Sequence, residues 1–253
     1  MTRETRLSVN VNKVATLRNS RGGAVPSVLR AIDVCLAAGA PGITVHPRAD
    51  ERHITRADVA AIAAHLAPHR GRVEFNIEGD PRADFVDLVV AARPDQCTLV
   101  PVQPGEITSQ AGWSAETSPE RLTAVIARLH AEGIRVSLFV DPFEAPIRWA
   151  RRLGADCVEL YTEPFARAFA EGPTQGRASF ELYAAAAELA HAIGLGVNAG
   201  HDLDLLNLTL FRELPYLDEV SIGHALVSHA LFVGLDRSVR DYLAALTSAD
   251  GIK

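Results

Sequence analysis

Residues 42–54, Gly-Ile-Thr-Val-His-Pro-Arg-Ala-Asp-Glu-Arg-His-Ile, crowd histidines, arginines and acids directly behind a short apolar run. Successive side chains of a strand point to opposite faces, so Thr44 and His46 share one face and Ile43 and Val45 the other. His46 therefore stands at the strand's carboxyl end, turned away from the aliphatic side, with Arg48, Arg52 and His53 close behind in the chain. Imidazoles titrate near neutrality and can pass protons in either direction, while guanidinium groups hold anions. Two more histidines sit in Gly200-His201-Asp202 and Gly223-His224-Ala225, each at the end of an apolar run. Glycine N–H groups leading into a helix make a phosphate site. Of the nine histidines, His46, His53, His201 and His224 fall at predicted strand ends or just beyond. His65, His69, His130, His191 and His229 fall on or beside predicted helices, where a solvated surface role is ordinary. Together with Glu74 and Glu159, the first four describe a site for proton transfer beside bound anions. Among Arg18, Arg21, Arg48 and Arg52, the residues expected to hold a second anion are Arg21 and Arg48.

Such residues need elements to converge them. Period-two alternation predicts strands over residues 7–11, 42–46, 72–77, 96–100, 135–140, 157–161, 196–199 and 219–222. Between them, apolar spacing predicts helices over 26–38, 55–66, 85–93, 119–132, 145–153, 180–193, 203–213 and 225–246, with residues 16–24 a polar loop. Eight strands alternating with helices across 253 residues, with no composition shift, fit one domain over residues 1–253, a single (β/α)8 TIM barrel. An open dinucleotide-binding sheet would want a glycine-rich turn after the first strand, and Asn12-Lys13-Val14-Ala15-Thr16 is not one. One face of the strands is aliphatic; the other carries Ser8, Asn10, Asn12, Thr44, His46, Glu74, Asn76, Thr98, Ser137, Asp141, Glu159, Asn198 and Ser221. Buried polar groups cost free energy unless paired or facing a ligand, so the polar face is expected to line the barrel and the site to open at the carboxyl ends of the strands. Two long strand-to-helix connections, 102–118 and 162–179, are expected to lie over that mouth as lids or binding loops.

Composition removes other classes. The net charge of −6, with no block of like charge, argues against a general nucleic-acid or anionic-membrane binder. Cys35, Cys97 and Cys157 are odd in number and lack metal-ligand spacing, as expected of reduced cysteines in a cytoplasmic protein. No apolar run approaches the length of a membrane span. Lysine occurs only at Lys13 and Lys253. A desolvated Lys13 in the mouth would suit Schiff-base chemistry, and His46, His201, His224 and Glu74 would suit a metal; a sugar-phosphate-binding barrel without catalysis is the third alternative.

Residues 9–22 (Val-Asn-Val-Asn-Lys-Val-Ala-Thr-Leu-Arg-Asn-Ser-Arg-Gly), 42–54, 136–139 (Val-Ser-Leu-Phe), 197–201 (Val-Asn-Ala-Gly-His) and 222–225 (Ile-Gly-His-Ala) closely resemble the pyridoxine 5′-phosphate synthase family of deoxyxylulose-dependent vitamin B6 biosynthesis. The resemblance runs nearly end to end and implies a barrel enzyme that condenses 3-amino-2-oxopropyl phosphate with 1-deoxy-D-xylulose 5-phosphate. The products are pyridoxine 5′-phosphate, inorganic phosphate and water. It implies no metal or organic cofactor, no nucleic-acid or membrane partner, and a homo-octamer. By resemblance, His46 and Glu74 are proton acceptors and His201 the proton donor. Asn10, Arg21, Asp202, Gly223 and His224 would hold the aminoketone phosphate; Asn12, Lys13, Arg48, His53 and Thr108 the ketose phosphate; and Glu159 would be a further carboxylate near the chemistry. The chain departs from the commoner family pattern at Asn12-Lys13, where many members have Asp-His, and at Asp202, where many have Gly.

Overall fold

The computed structural model describes residues 4–101 and 111–247. Its strands are β1 (Arg6–Asn10), β2 (Gly42–Val45), β3 (Glu74–Gly79), β4 (Gln96–Leu99), β5 (Arg135–Val140), β6 (Cys157–Tyr161), β7 (Gly196–Gly200) and β8 (Leu217–Ile222). All pair in parallel with their sequence neighbours, and β8 closes on β1 through Ser8 opposite Ser221. This is the eight-stranded barrel expected from the alternation of elements.

Outside the barrel run α1 (Asn12–Asn19), α2 (Val28–Ala38), α3 (Arg56–Leu66), α4 (Ala83–Ala92), α5 (Pro119–Ala131), α6 (Glu144–Leu153), α7 (Glu163–Glu171), α8 (Pro173–Ala192), α9 (Leu208–Phe211), α10 (His224–Val233) and α11 (Leu235–Thr247). Local chemistry sets several boundaries. Ser27 caps α2 by accepting from the Arg30 N–H, and Gly39 ends it at φ 102°, a conformation glycine adopts without strain. Thr55 and Asp58 form a capping box at the start of α3. The aliphatic faces of the strands, among them Ile43, Val45, Ile77, Leu138, Val158 and Val220, are fully buried under these helices, each contributing roughly 1.5–3 kcal/mol of burial free energy.

The opposite faces fill the lumen with polar groups. Ser8 and Thr44 share a 2.6 Å hydrogen bond; Asn76 donates to Thr44 and accepts from Thr98; Asn198 donates to Gln96. Such mutual pairing offsets the desolvation of buried polar groups. Several expectations change. The helix expected over 203–213 is only α9, and the one expected over 225–246 is two helices, α10 and α11, divided at Gly234. Residues 16–19, expected as loop, complete α1, and much of the 162–179 connection, expected as a lid, is helical in α7 and the start of α8. Residues 102–110 of the other long connection lie outside the described residues.

Candidate active site

Strand β3 decides which acid reaches the mouth. Glu74, Asn76 and Glu78 share its lumen face, all buried. Glu74 begins the strand at the barrel's foot, 2.7 Å from both Arg6 and Arg135. Four residues further on, ~13 Å at the rise of a strand, Glu78 faces a cavity of about 510 Å³ at the carboxyl ends. Glu74 is therefore corrected as the expected proton acceptor: it does not line the cavity, and its carboxylate is occupied by two guanidinium groups. The period-two pattern that singled out Glu74 continues through Asn76 to Glu78; ending the expected strand at residue 77 hid it.

His46 follows β2 and lines the same cavity. Its Nδ1 lies 3.7 Å from Glu78 Oε2, beyond hydrogen-bond length but close enough for a small movement or a water to join them. The His46 N–H donates to Asn12 Oδ1, and the Asn12 N–H donates to Asn10 Oδ1. Asn10 Nδ2 and Ser221 Oγ in turn approach the Glu78 carboxyl at 3.4 and 3.2 Å. Asn10 and Asn12 thus spend polar atoms on holding the strand ends while still lining the cavity.

Electrostatics favour neutral partners. Burial pushes the His46 imidazole down to about 3, and the nearby His53, Arg48, Arg82 and His201 push the same way. Burial raises Glu78 well above the usual carboxylate range, opposed by its bond from Ser221 and reinforced by Glu219. Glu159, buried on β6, is raised by burial and by Glu78, with Thr98 and His201 acting against the rise. A carboxyl that keeps its proton toward neutrality, beside an uncharged imidazole, can both give and take protons.

The rim is cationic. Lys13, in the first turn of α1, lines the cavity with Arg48, Arg52 and His53. His53 Nδ1 accepts from the Ile54 N–H, which leaves its proton on Nε2. Burial, then Arg48 and Lys13, hold its pKa down to about 4. Arg18 locks the end of α1 onto this loop, donating to both oxygens of Asp58 at 2.6 and 2.8 Å and to the His53 carbonyl. Arg21 is not brought in; it lies exposed in the turn after α1 and does not line the cavity. Its exposure follows from α1 running on to Asn19, which carries the turn outward. Thr108 lies outside the described residues.

At the other side, β7 and β8 end in the two Gly-His pairs. His201 and Asp202 adopt left-handed φ of 93° and 58°, an uncommon conformation for consecutive non-glycine residues. Gly223 caps α10, so the first N–H groups of that helix open toward the cavity lined by Gly223, His224 and Ala225. A Cβ on Gly223 would stand 3.0 Å from Asn10 Cβ and 3.1 Å from its carbonyl, so glycine permits this close crossing of β1 and β8. Phe139, on the lumen face with Ser137 but passed over because that face was read for polar residues, completes the wall: its ring packs at 5.4 Å on Tyr161, and Tyr161 at 5.2 Å on His201.

The family model for pyridoxal phosphate biosynthesis protein PdxJ matches residues 7–248. The chain belongs to this family. Pyridoxine 5′-phosphate synthase of Bacteroides fragilis is 52% identical over 239 residues, covering 94% of this chain and 98% of its own length. The Leptospira biflexa enzyme of the same name is 49% identical over 253 residues, covering 96% and 97%. Two solved structures of low identity show the same fold: 3-hexulose-6-phosphate synthase from Salmonella typhimurium superposes with a TM-score of 0.63 at 15% identity over 96% of this chain and 98% of that one. Phosphoribosyl anthranilate isomerase from Thermus thermophilus gives 0.57 at 17%, covering 97% and 100%. This barrel's mouth gathers four histidines and two glutamates between a cationic rim and a helix N-terminus.

Proposed function

We propose that this PdxJ-family enzyme joins 3-amino-2-oxopropyl phosphate to 1-deoxy-D-xylulose 5-phosphate and closes the pyridine ring of pyridoxine 5′-phosphate by general acid–base catalysis. The observation that carries the reading is the His46–Glu78 pair in one cavity with His201, between the N-terminus of α10 and the Lys13–Arg48 rim. Imine formation, enolisation, elimination of phosphate and dehydration each move a proton, and groups able to hold or release one near neutral pH suit every step. Two phosphates enter and one leaves, so two anion sites are needed, and one must release its anion. The α10 N-terminus with Gly223, His224 and the Asp202 backbone suits the aminoketone phosphate, favoured by the helix dipole. Lys13, Arg48 and His53 suit the ketose phosphate.

In this assignment His46 takes protons, Glu78 gives its proton and takes it back between steps, and His201 gives one; Glu159, deeper and more fully buried, is a reserve carboxyl beside His201. Among the described residues, no group of three or more His, Cys, Asp or Glu side chains is arranged to hold a metal ion, and no helix is long and apolar enough to cross a membrane. We place the enzyme in the cytoplasm, in keeping with its free cysteines, as a homo-octamer. The exposed tip of α10, with Leu231 at 70% and Phe232 at 88% exposure, suits burial against further copies.

The test supplies both substrates to the purified enzyme and follows pyridoxine 5′-phosphate by absorbance and mass. Product formation that disappears when either substrate is omitted supports the reading; no product under those conditions overturns it. Because Lys13 lines the cavity, a Schiff-base route is the second reading. Borohydride trapping of a carbonyl substrate on Lys13 would establish it in place of the acid–base route.

A further inference from the structure

Asp202 does more than present its backbone. Its Oδ2 lies 3.0 Å from His201 Nδ1. The two residues are consecutive and both left-handed, and each carbonyl is anchored: that of His201 by the hydroxyl of Thr162 after β6, that of Asp202 by Asn207 Nδ2, five residues on, at 3.0 Å. Thr162 and Asn207 are themselves buried. Backbone strain of this kind persists only where the surroundings hold it, and here it turns two adjacent side chains toward each other, which extended backbone would not do.

We propose that Asp202 is a positioning residue for His201, fixing its imidazole in the Nδ1–H tautomer so that Nε2 is the nitrogen presented to substrate. The carboxylate is available for this, since its hydrogen bond to His201 holds it below the usual range, with His224 and Lys13 acting in the same direction. The ring then works from one nitrogen. Neutral, it keeps its proton on Nδ1 toward Asp202 and a lone pair on Nε2; protonated, it gives the Nε2 proton to the intermediate and returns to the same tautomer without rotating. Tyr161 packs edge-on against the ring and limits its rotation. The inference rests on the acid–base reading of His201 and adds to it the orienting partner that a base or acid in a partly open loop requires.

The test is read without substrate. With the intact chain labelled at histidine nitrogen, long-range proton–nitrogen correlation at a pH where His201 is neutral reports its tautomer, assigned by the signal lost in His201→Gln. The wild type should show Nδ1–H. Asp202→Gly accepts φ 58° without strain and should shift the ring to the Nε2–H form preferred by free imidazole. It should also cut kcat about tenfold, with KM for both substrates changed less than about twofold. Asp202→Asn, whose amide oxygen still accepts from Nδ1–H, should keep the tautomer and recover most of kcat. A wild-type ring in the Nε2–H form, or a tautomer unchanged in Asp202→Gly, overturns the inference. If the tautomer behaves as expected but no pyridoxine 5′-phosphate forms, the reaction assignment fails while the positioning role stands.

Discussion

Two glutamates on one face of β3 carry opposite expectations. Glu78→Gln removes a proton-transfer group from the cavity and should lower kcat by ~10²–10⁴ with little change in melting temperature. Glu74→Gln strips the partner from Arg6 and Arg135, whose side chains are 32% and 44% exposed and so recover some hydration. It should cost about 1.5–3 kcal/mol of stability, the range for hydrogen bonds to charged groups, while leaving kcat nearly intact. Urea denaturation beside steady-state kinetics separates the two; a Glu74→Gln enzyme that is stable but inactive would restore Glu74 to the chemistry. His46 supplies a test in pH. An unfolded imidazole binds a proton below ~6.5, whereas His46 in the fold resists protonation until about 3. Between those values the unfolded chain holds more protons, so stability falls as pH falls through that window. Glu78 and Glu159 act in the opposite sense, their contribution complete below the ordinary carboxylate pKa and lost as pH rises through their elevated folded values. His46→Asn should therefore lose less stability than wild type between about pH 6.5 and about pH 4, measured by urea midpoints at each pH. Parallel curves would place His46 in solvent.

At the scale of elements, helix starts bring charge and backbone donors to the mouth. Lys13 stands on the first turn of α1, which is tied by Arg18 to Asp58 at the start of α3 and to the His53 carbonyl in the loop after β2. The ammonium is thus placed by a helix rather than left to a flexible loop. Lys13→Ala should raise KM for the ketose phosphate by about tenfold or more, the loss of one charge-assisted contact, with KM for the aminoketone and kcat much less affected. Equal changes for both substrates would mean that Lys13 does not select the ketose. The start of α10 makes the complementary case. Gly223→Ala forces a Cβ against Asn10 and shifts the helix N-terminus from its place. KM for the aminoketone phosphate should rise by about tenfold, equivalent to about 1.4 kcal/mol of binding, with a smaller change for the ketose. Unchanged kinetics would move the phosphate away from this helix.

For the whole molecule, the barrel divides its labour by face. Outward residues pack under helices and supply stability, while inward residues form a hydrogen-bonded polar column with its charged foot at Arg6, Glu74, Arg135 and Glu219 and its reactive mouth at Glu78, Glu159 and the histidines. The homo-octamer expected of the family is checked by light scattering, which should report eight times the 27.2 kDa chain mass. Phe232→Glu at the apolar tip of α10 should reduce that mass if the tip is buried between copies, since burying an unpaired charge is costly. An undiminished octamer would assign the contact to another surface.

The sequence by itself determined the side-chain parity of the strands, where α2 stops and where α3 starts and stops, and that His46, His53, His201 and His224 gather at one end of the barrel. Those properties are local: side-chain parity, capping chemistry and the order of elements do not depend on distant contacts. Depth was not local. Whether Glu74 or Glu78 reaches the mouth depends on how far each strand is staggered against its neighbours when the barrel closes, and parity treats the two alike. The pairing of Gly42 with Glu74 and of Asn76 with Gln96 put Glu74 at the foot. Closure likewise turned residues 16–19 into helix, carried Arg21 outward, and folded His201 and Asp202 into the left-handed turn that sets carboxylate against imidazole. Each of these was fixed by contacts from another strand or helix, which the tertiary structure alone supplies.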